Sequence, residues 1–179
     1  MVLNTRMTAK DFAELPETNL PTELIDGELI VSPAPIPEHQ NISVELIILL
    51  RGLIPNGKLY HAPIDVYFDE ANSVQPDIVW VAENSQCFIG DKRLEGGPDL
   101  VIEILSPSTA RRDKNKKFLL YQKHGVREYW LVDPQAQYIE VWRLEDGKFV
   151  PKGVFGPGDA FVVPVLDDKS VDVGTIFSS

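Results

Sequence analysis

The sequence is poor in the residues and motifs that mark several common enzyme classes. It contains one cysteine and three histidines, so Cys87 has no partner for an internal disulfide bond and no zinc-like spacing with the histidines. The sequence also lacks the nucleotide-binding motifs GxGxxG and GxxxxGK(S/T), the metalloprotease motif HExxH and the hydrolase motif GxSxG. These absences argue against the most familiar nucleotide-dependent, zinc-dependent and serine-dependent enzymes.

Long hydrophobic runs are also missing. No apolar run approaches the roughly 18 residues that span a bilayer, and the opening residues MVLNTRMTAKDF lack the core of a signal peptide. We therefore expect a cytoplasmic protein that does not enter a membrane. The 179 residues, of which 44% are hydrophobic and 25% charged, are typical of a globular protein. We expect a single domain over residues 1–179.

Positive charge is scarce. The chain has 17 lysines and arginines against 27 aspartates and glutamates, and its formal net charge is −10. This balance argues against a nucleic-acid binder with a broadly basic surface. A local positive patch can still exist, because six basic residues cluster within residues 111–123. They are Arg111, Arg112, Lys114, Lys116, Lys117 and Lys123. The other interpretation of this cluster is a solvated helix face.

The most informative segment spans residues 97–134, GPDLVIEILSPSTARRDKNKKFLLYQKHGVREYWLVDP. Its pattern predicts a buried strand, an amphipathic helix that starts near Ser108 or Thr109 and ends at Gly125, and a second buried strand. Glu103 interrupts the first apolar run. Because an unpaired buried carboxylate costs several kcal/mol, we expect Glu103 to be protonated, paired or bound to a cation.

A second acidic residue, Asp77, stands at the entrance of another strand-like run, residues 74–82. Adjacent strands could bring Asp77 and Glu103 together, and two close carboxylates need a proton or a cation between them. A hard ion such as Mg²⁺ is suited to one or two carboxylates completed by water and phosphate oxygens. Metal-assisted hydrolysis is therefore chemically reasonable.

The predicted helix supplies a lysine for such a site. Lys117 and Tyr121 lie one turn apart on one face, with Lys114 one turn earlier, whereas Lys116 points away and is expected to be exposed. Lys117 is therefore our candidate for the cation that stabilises charge on a phosphate. A buried salt bridge between Glu103 and Lys117 without any catalysis is the other interpretation.

Elsewhere the pattern predicts short elements and connectors. They are a helix over residues 8–15, a β-hairpin over 23–31 around Asp26-Gly27, a stiff proline-rich connector over 32–37, a helix over 38–53, a strand over 59–67, a loop over 83–96, a hairpin over 138–150, and extended segments over 159–165 and 171–177. Ile47 and Ile48 are expected to broaden the buried face of the second helix. His39, near the start of that helix, is either an ordinary polar residue or a site residue.

Several of these motifs together resemble one protein family. QPDIVWV around Asp77, PDLVIEILSPST around Glu103, RRDKNKKFLLYQKHGVREYWLVDP and the early ELIDGEL resemble the Uma2 family (DUF820) of proposed bacterial endonucleases, within the PD-(D/E)xK restriction-endonuclease-like superfamily. The resemblance covers roughly residues 8–165. It implies an α/β (α+β) fold, with a restriction-endonuclease-like mixed β-sheet flanked by helices and additional β-hairpins.

The resemblance also implies a site and an activity. Asp77 and Glu103 become catalytic, metal-binding acids. The superfamily places a lysine two residues after the second acid, where this chain has Leu105, so the resemblance points to Lys117 on the helix instead. Glu23 matches an early family glutamate. Asp113 and Tyr121 are possible auxiliary residues.

The activity that the resemblance implies is a Mg²⁺-dependent (or Mn²⁺-dependent) endonuclease that cleaves nucleic acid, with DNA favoured over RNA. We also expect a homodimer or higher homo-oligomer, because three tryptophans lie in strand-like segments, the hairpin over 138–150 offers a sheet edge, and cutting two strands commonly takes two sites. The alternatives are a catalytically degenerate nuclease fold that binds or regulates, and a structural role in which Glu103 and Lys117 only form a salt bridge.

Overall fold

The structure, a computed structural model, describes residues 6–178. In chain order its helices and strands are α1 (Ala9–Ala13), β1 (Thr22–Ile25), β2 (Glu28–Val31), α2 (Pro37–Leu53), β3 (Lys58–His61), β4 (Val66–Asp69), β5 (Asn72–Val74), β6 (Ile78–Val81), β7 (Phe88–Ile89), β8 (Leu94–Glu95), β9 (Leu100–Ile104), α3 (residues 110–123), β10 (Glu128–Asp133), β11 (Tyr138–Glu145), β12 (Lys148–Phe155), β13 (Ala160–Val163) and β14 (Lys169–Asp172). Within this range no helix is long and apolar enough to cross a membrane.

The strands form two mixed six-stranded sheets and a small ribbon. The central sheet has the strand order β12-β11-β10-β9-β6-β3, the second sheet has the order β2-β1-β5-β4-β8-β7, and β13 pairs with β14. In the central sheet only β9 and β10 run parallel, and α3 connects them. A parallel pair requires such a crossover connection, so the predicted strand, helix and strand form one unit at the centre of the protein.

Side-chain alternation along β9 decides which layer each residue faces. Ile102 and Ile104 belong to the core that α2 and the C-terminal ribbon cover. Val101 belongs to the core on the other face, which α3 and the second sheet cover. Glu103 shares the face of Val101 and is only 3% exposed. It therefore lies between the central sheet, α3 and the second sheet.

Several elements agree with the sequence prediction because short-range interactions define them. The side chain of Thr8 accepts a hydrogen bond from the backbone N of Asp11, and the Asp11 carboxylate accepts one from the backbone N of Thr8, which stabilises the start of α1. The β1–β2 hairpin turns at Asp26 and Gly27, both with positive φ, as a two-residue hairpin loop requires. The α+β fold class is likewise confirmed.

The buried face of α2 is narrower than predicted. Ile42, Leu46 and Leu50 are buried, but Ile48 is 62% exposed, so the expectation that it broadens the buried face is wrong. Ile47 is only partly buried against the core. The helix contacts the central sheet along one stripe, and the residues on its outer side remain in solvent.

Two other predictions fail because strand pairing depends on distant residues. The single strand expected over 59–67 is divided into β3 in the central sheet and β4 in the second sheet. The segment over 83–96, expected as a loop, contains β7 and β8, which pair with each other, while β8 also pairs with β4. Strands of two residues carry too little pattern to be detected locally.

Candidate active site

Antiparallel pairing of β6 with β9 brings the two candidate acids together. Ile78 pairs with Ile102 and Val79 with Val101, so continuing this register by one residue places Asp77 opposite Glu103. The backbone N of Ile104 also donates a hydrogen bond of 2.7 Å to Oδ2 of Asp77. The two carboxylates therefore occupy the same face of the sheet on adjacent strands.

Lys117 lies between carboxylates from three different elements. Its Nζ is 2.9 Å from Oε1 of Glu103, 2.8 Å from Oε1 of Glu23 and 3.7 Å from Oδ1 of Asp113. Glu23 comes from β1 and also accepts a hydrogen bond from the backbone N of Gln75. All four charged side chains are at most 4% exposed. Together they form a buried ionic cluster, which we call the inner cluster: Glu23, Glu103, Asp113 and Lys117.

The local geometry of α3 explains why these residues share one face. Its middle, Asp113–Lys117, is a π-helical turn between two α-helical segments. In a regular α-helix, residues four apart differ by about 40° in their direction around the helix axis. The wider π-turn reduces this difference, so residues four apart point more nearly the same way. Asp113, Lys117 and Tyr121 are all buried, and the Tyr121 hydroxyl donates a hydrogen bond to Oε1 of Glu103. π-turns occur frequently at functional sites.

The neighbouring lysines point elsewhere. Lys116 is exposed, as predicted, and its Nζ lies 2.9 Å from Oε2 of Glu28. Lys114 was expected on the face of Lys117, but its Nζ donates to the Tyr138 hydroxyl on the protein surface. That expectation is wrong, because the π-turn places Asp113 rather than Lys114 one turn before Lys117 on the inward face.

Burial and an excess of carboxylates set the protonation of the inner cluster. Desolvation raises the pKa of Glu103 well above its ordinary value, Lys117 opposes this, and the neighbouring carboxylates raise it further. Burial by itself would lower the pKa of Lys117, but the same carboxylates reverse this effect and raise it. Burial also raises the pKa of Asp113. Lys117 is therefore an ammonium ion, and the cluster attracts additional positive charge.

Several buried polar atoms of the inner cluster and its neighbours have no hydrogen-bond partner among residues 6–178. They are Oε2 of Glu23, Oδ1 of Asp113, Nε of Arg112 and Nδ1 of His39. Arg112 approaches the cluster from its outer side, with Nη2 3.5 Å from Oε2 of Glu23 and 2.9 Å from Oγ of Ser32. Unsatisfied buried polar groups are uncommon in folded proteins, so the polar atoms here are not paired for stability alone.

His39, whose role the sequence left open, lies beside Asp77. Its Nε2 lies 3.2 Å from Oδ1 of Asp77, and the two side chains are 15% and 18% exposed. Burial of the ring disfavours its charge, but Asp77 and the Ile104 backbone outweigh this and raise the pKa of His39 above its ordinary value. A helical pattern around His39 could not reveal this contact, because Asp77 is far away in the chain.

An open cleft of about 230 Å³ lies beside His39. Its wall includes Leu105, Ser106 and Pro107 from the loop after β9, together with Asp133 and Pro134 at the end of β10. The site therefore has an accessible outer layer of His39 and Asp77 and a buried inner cluster behind it. A flexible polymer strand could approach the outer layer through this cleft.

The residues at the strand ends fit a hard divalent ion. Asp77 and Glu103 supply carboxylate oxygens, which Mg²⁺ and Mn²⁺ prefer, and the nearby carboxylates of Glu23 and Asp113 increase the local negative charge. Within the described chain no three histidine, cysteine, aspartate or glutamate side chains form a metal cage. The protein would therefore contribute only part of the coordination, and water or phosphate oxygens would complete it.

The mixed central sheet with its flanking helices is the fold expected of the restriction-endonuclease-like class. A family model described as "Uma2: Putative restriction endonuclease" matches residues 9–174. The chain belongs to the Uma2 family, as the motifs in its sequence indicated.

Two individual proteins are similar to this chain. The chain resembles the crystal structure of a protein titled a "putative nuclease belonging to DUF820" from Anabaena variabilis ATCC 29413, with a TM-score of 0.79 and 27% identity. That match covers 96% of this chain and 98% of the other. An uncharacterized protein from Synechocystis sp. is 28% identical over 123 residues, which is 66% of this chain and 70% of that protein.

Proposed function

We propose that this protein is a metal-dependent endonuclease that hydrolyses phosphodiester bonds in nucleic acid, with DNA favoured over RNA. The observation that carries the proposal is the position of Asp77 opposite Glu103, whose carboxylate contacts Lys117, close to the open cleft that His39 lines. Membership of a family described as a restriction endonuclease supports the same reaction class.

Asp77 and Glu103 would hold the ion, Mg²⁺ or Mn²⁺. When bound, such an ion supplies an acidic water molecule and neutralises phosphate charge. Lys117 would stabilise the negative charge that develops on the phosphate oxygens during attack by water. Its ammonium group has more donors than the contacts to Glu23 and Glu103 use, and the 3.7 Å to Asp113 is too long for a hydrogen bond. A further N–H of Lys117 is therefore available to a substrate oxygen.

The remaining residues of the site would hold this arrangement in place. Tyr121 donates to the oxygen of Glu103 that also contacts Lys117, so the other oxygen, Oε2, can face the ion. Glu23 holds Lys117 from the side of the second sheet, and Asp113 increases the negative charge that keeps Lys117 protonated. A rigid support of this kind is what an electrostatic catalytic site requires.

A catalytically degenerate binding module is the second candidate function. The observation that favours it is the burial of Lys117, which is 3% exposed and paired with two carboxylates. In that case the inner cluster would only connect β1, β9 and α3. Divalent-ion binding and cleavage separate the two candidates.

Asp77→Asn is expected to abolish metal-dependent cleavage while the protein stays folded, because an amide is a poor ligand for a hard ion. Cleavage of plasmid and single-stranded DNA and of RNA should be measured with Mg²⁺ and with Mn²⁺, and ion affinity by isothermal titration calorimetry. Asp99→Asn is the matched control. Asp99 belongs to the other Pro-Asp pair and accepts from the backbone N of Ala82, away from the site. Undiminished ion binding in Asp77→Asn would rule out this metal site.

We further propose a homodimer that forms through the free edge of the central sheet. β12 is the outer strand of this sheet, and Val154 on it is 62% exposed. Of the three tryptophans, Trp80 and Trp130 lie in the core and cannot take part in an interface. Only Trp142 is partly exposed.

Light scattering at tens of micromolar protein should give twice the mass of one chain. Val154→Lys should shift the protein toward the monomer, because a charged side chain on an edge strand opposes pairing. Val162→Lys, which changes an exposed valine on β13, serves as the control. A monomer in the wild type at this concentration would contradict the dimer.

A further inference from the structure

His39 is the only described side chain that contacts the carboxylate of Asp77. Oδ2 of Asp77 accepts from the backbone N of Ile104 at 2.7 Å, and Oδ1 lies 3.2 Å from Nε2 of His39. No lysine or arginine within residues 6–178 forms an ion pair with Asp77. The rotation of this carboxylate therefore depends on one backbone amide and one imidazole ring.

The ring of His39 is oriented so that it contacts Asp77, and this orientation leaves its other nitrogen without a hydrogen-bond partner among residues 6–178. Nδ1 of His39 is buried without a hydrogen-bond partner in the described chain, which is unfavourable for folding. A histidine that only stabilised the start of α2 would gain from a partner for both nitrogens or from exposure to water. The ring instead directs Nε2 toward the carboxylate of Asp77, a proposed metal ligand.

The position of His39 links α2 to the site. His39 lies in the first turn of α2 and lines the cleft together with Leu105 and Ser106. The other site residues come from β1, β6, β9 and α3, so α2 contributes to the site through this residue. His39 is also half-buried, and the packed wall of the cleft restricts the ring.

We propose that His39 is a positioning residue of the cation site, which holds the Asp77 carboxylate in the orientation that binds a divalent ion. This inference rests on the proposed metal-dependent function. Partners that hydrogen-bond to metal ligands typically contribute about 10–100-fold to metal affinity. Without Nε2, Asp77 keeps one restraint, from the Ile104 amide, and its carboxylate can rotate away from Glu103.

Matched variants can isolate the contact of Nε2 with Asp77. The amide nitrogen of glutamine is separated from Cβ by the same number of bonds as Nε2 of histidine. The amide nitrogen of asparagine is one bond closer to Cβ and corresponds to Nδ1. His39→Gln therefore keeps the contact with Asp77, and His39→Asn and His39→Ala lose it. Gln40→Ala, which changes an exposed residue of the same turn, is the control for changes in α2.

The binding of Mn²⁺ should be measured for each variant by isothermal titration calorimetry, at a temperature where circular dichroism shows the folded state. We expect His39→Asn and His39→Ala to bind Mn²⁺ about 10–100-fold more weakly, with His39→Gln and Gln40→Ala close to the wild type. In cleavage assays at fixed Mn²⁺, kcat should fall for His39→Asn while KM for DNA changes little.

The possible results separate this inference from the proposed function. If the wild type binds no Mn²⁺, the metal-dependent function itself fails, and the role of His39 fails with it. If the wild type binds Mn²⁺ and His39→Asn binds it equally well or more tightly, the positioning role alone is overturned. Equal losses in His39→Gln and His39→Asn would also overturn it, since losing the contact of Nε2 with Asp77 would not be the cause.

Discussion

Lys117→Ala is expected to lose cleavage by about 100–1,000-fold, the typical effect of removing one donor that stabilises transition-state charge. It should also lower the free energy of unfolding by about 3–5 kcal/mol, because breaking a buried ion pair leaves its partners uncompensated. Here those partners are Glu23 and Glu103, at 2.8 and 2.9 Å from Nζ. Urea unfolding and cleavage of nucleic acid should be measured on the same preparation.

Two comparisons keep this prediction testable if the variant folds poorly. Lys116→Ala removes the neighbouring exposed lysine, whose solvent-screened pair with Glu28 contributes little to stability, and should cut normally. The double variant Glu23→Gln, Lys117→Met removes one charge of each sign from the inner cluster. It should recover much of the stability without recovering cleavage. Wild-type cleavage by Lys117→Ala or by this double variant would show that Lys117 is not catalytic.

A lysine introduced at position 105, where the superfamily pattern places it, tests by recovery of activity whether the site needs a lysine. Leu105 lies two residues after Glu103 and lines the cleft, so both side chains lie on the same side of the sheet. Leu105→Lys combined with Lys117→Ala should recover part of the cleavage lost by Lys117→Ala alone. The recovery should be incomplete, because the introduced lysine would lack the contact that Glu23 provides.

Glu103→Gln is expected to bind divalent ions more than about 100-fold more weakly and to lose cleavage accordingly. Removing a metal ligand should have a larger effect than removing a residue that only hydrogen-bonds to a metal ligand. Glu103→Gln should lose less stability than Lys117→Ala does. The introduced amide would keep an oxygen for the Tyr121 hydroxyl and for Lys117. The inner cluster has three carboxylates and one ammonium group, and the substitution would remove one of these carboxylates.

The pH dependence of stability distinguishes this variant further. Burial raises the pKa of Glu103 in the folded protein well above its ordinary value, so the unfolded chain loses this proton first as the pH rises. The contribution of Glu103 to stability is therefore present at low pH and is lost as the pH rises through its folded pKa. Without metal, Glu103→Gln should equal or exceed the wild type in stability at pH 8, and the advantage should diminish toward pH 5.

Glu128→Gln is the control for burial of a glutamate. Glu128 is also fully buried, and burial also raises its pKa, but it contacts Trp130 and Arg143 outside the site. Mn²⁺ should stabilise the wild type and Glu128→Gln against urea, since it binds only the folded state, and should not stabilise Glu103→Gln. Equal stabilisation of all three proteins would show that Glu103 does not hold the ion.

The sequence predicted the central strand, helix and strand because each has a strong local pattern. The apolar runs around Glu103 and Trp130 have the length of buried strands, and the helix between them has a clear start and a glycine after its end. The neighbouring positions of Glu103 and Lys117 follow from this unit, because a crossover helix covers the strand that precedes it.

Other features of the site could not be found in the sequence. A π-turn has no sequence signature that separates it from an ordinary helix, so Lys114 rather than Asp113 was expected beside Lys117. The contact of His39 with Asp77 depends on how α2 crosses the sheet.

The sequence by itself determined the family, the fold class, the central βαβ unit and the presence of a carboxylate in a buried strand. These features depend on residue patterns over short stretches or on motifs that the family shares. Only the tertiary structure decided which charged groups meet around Lys117, that His39 contacts Asp77, and how β4, β7 and β8 build a second sheet. These contacts join distant parts of the chain, and the energies that select them come from packing and burial in the folded protein.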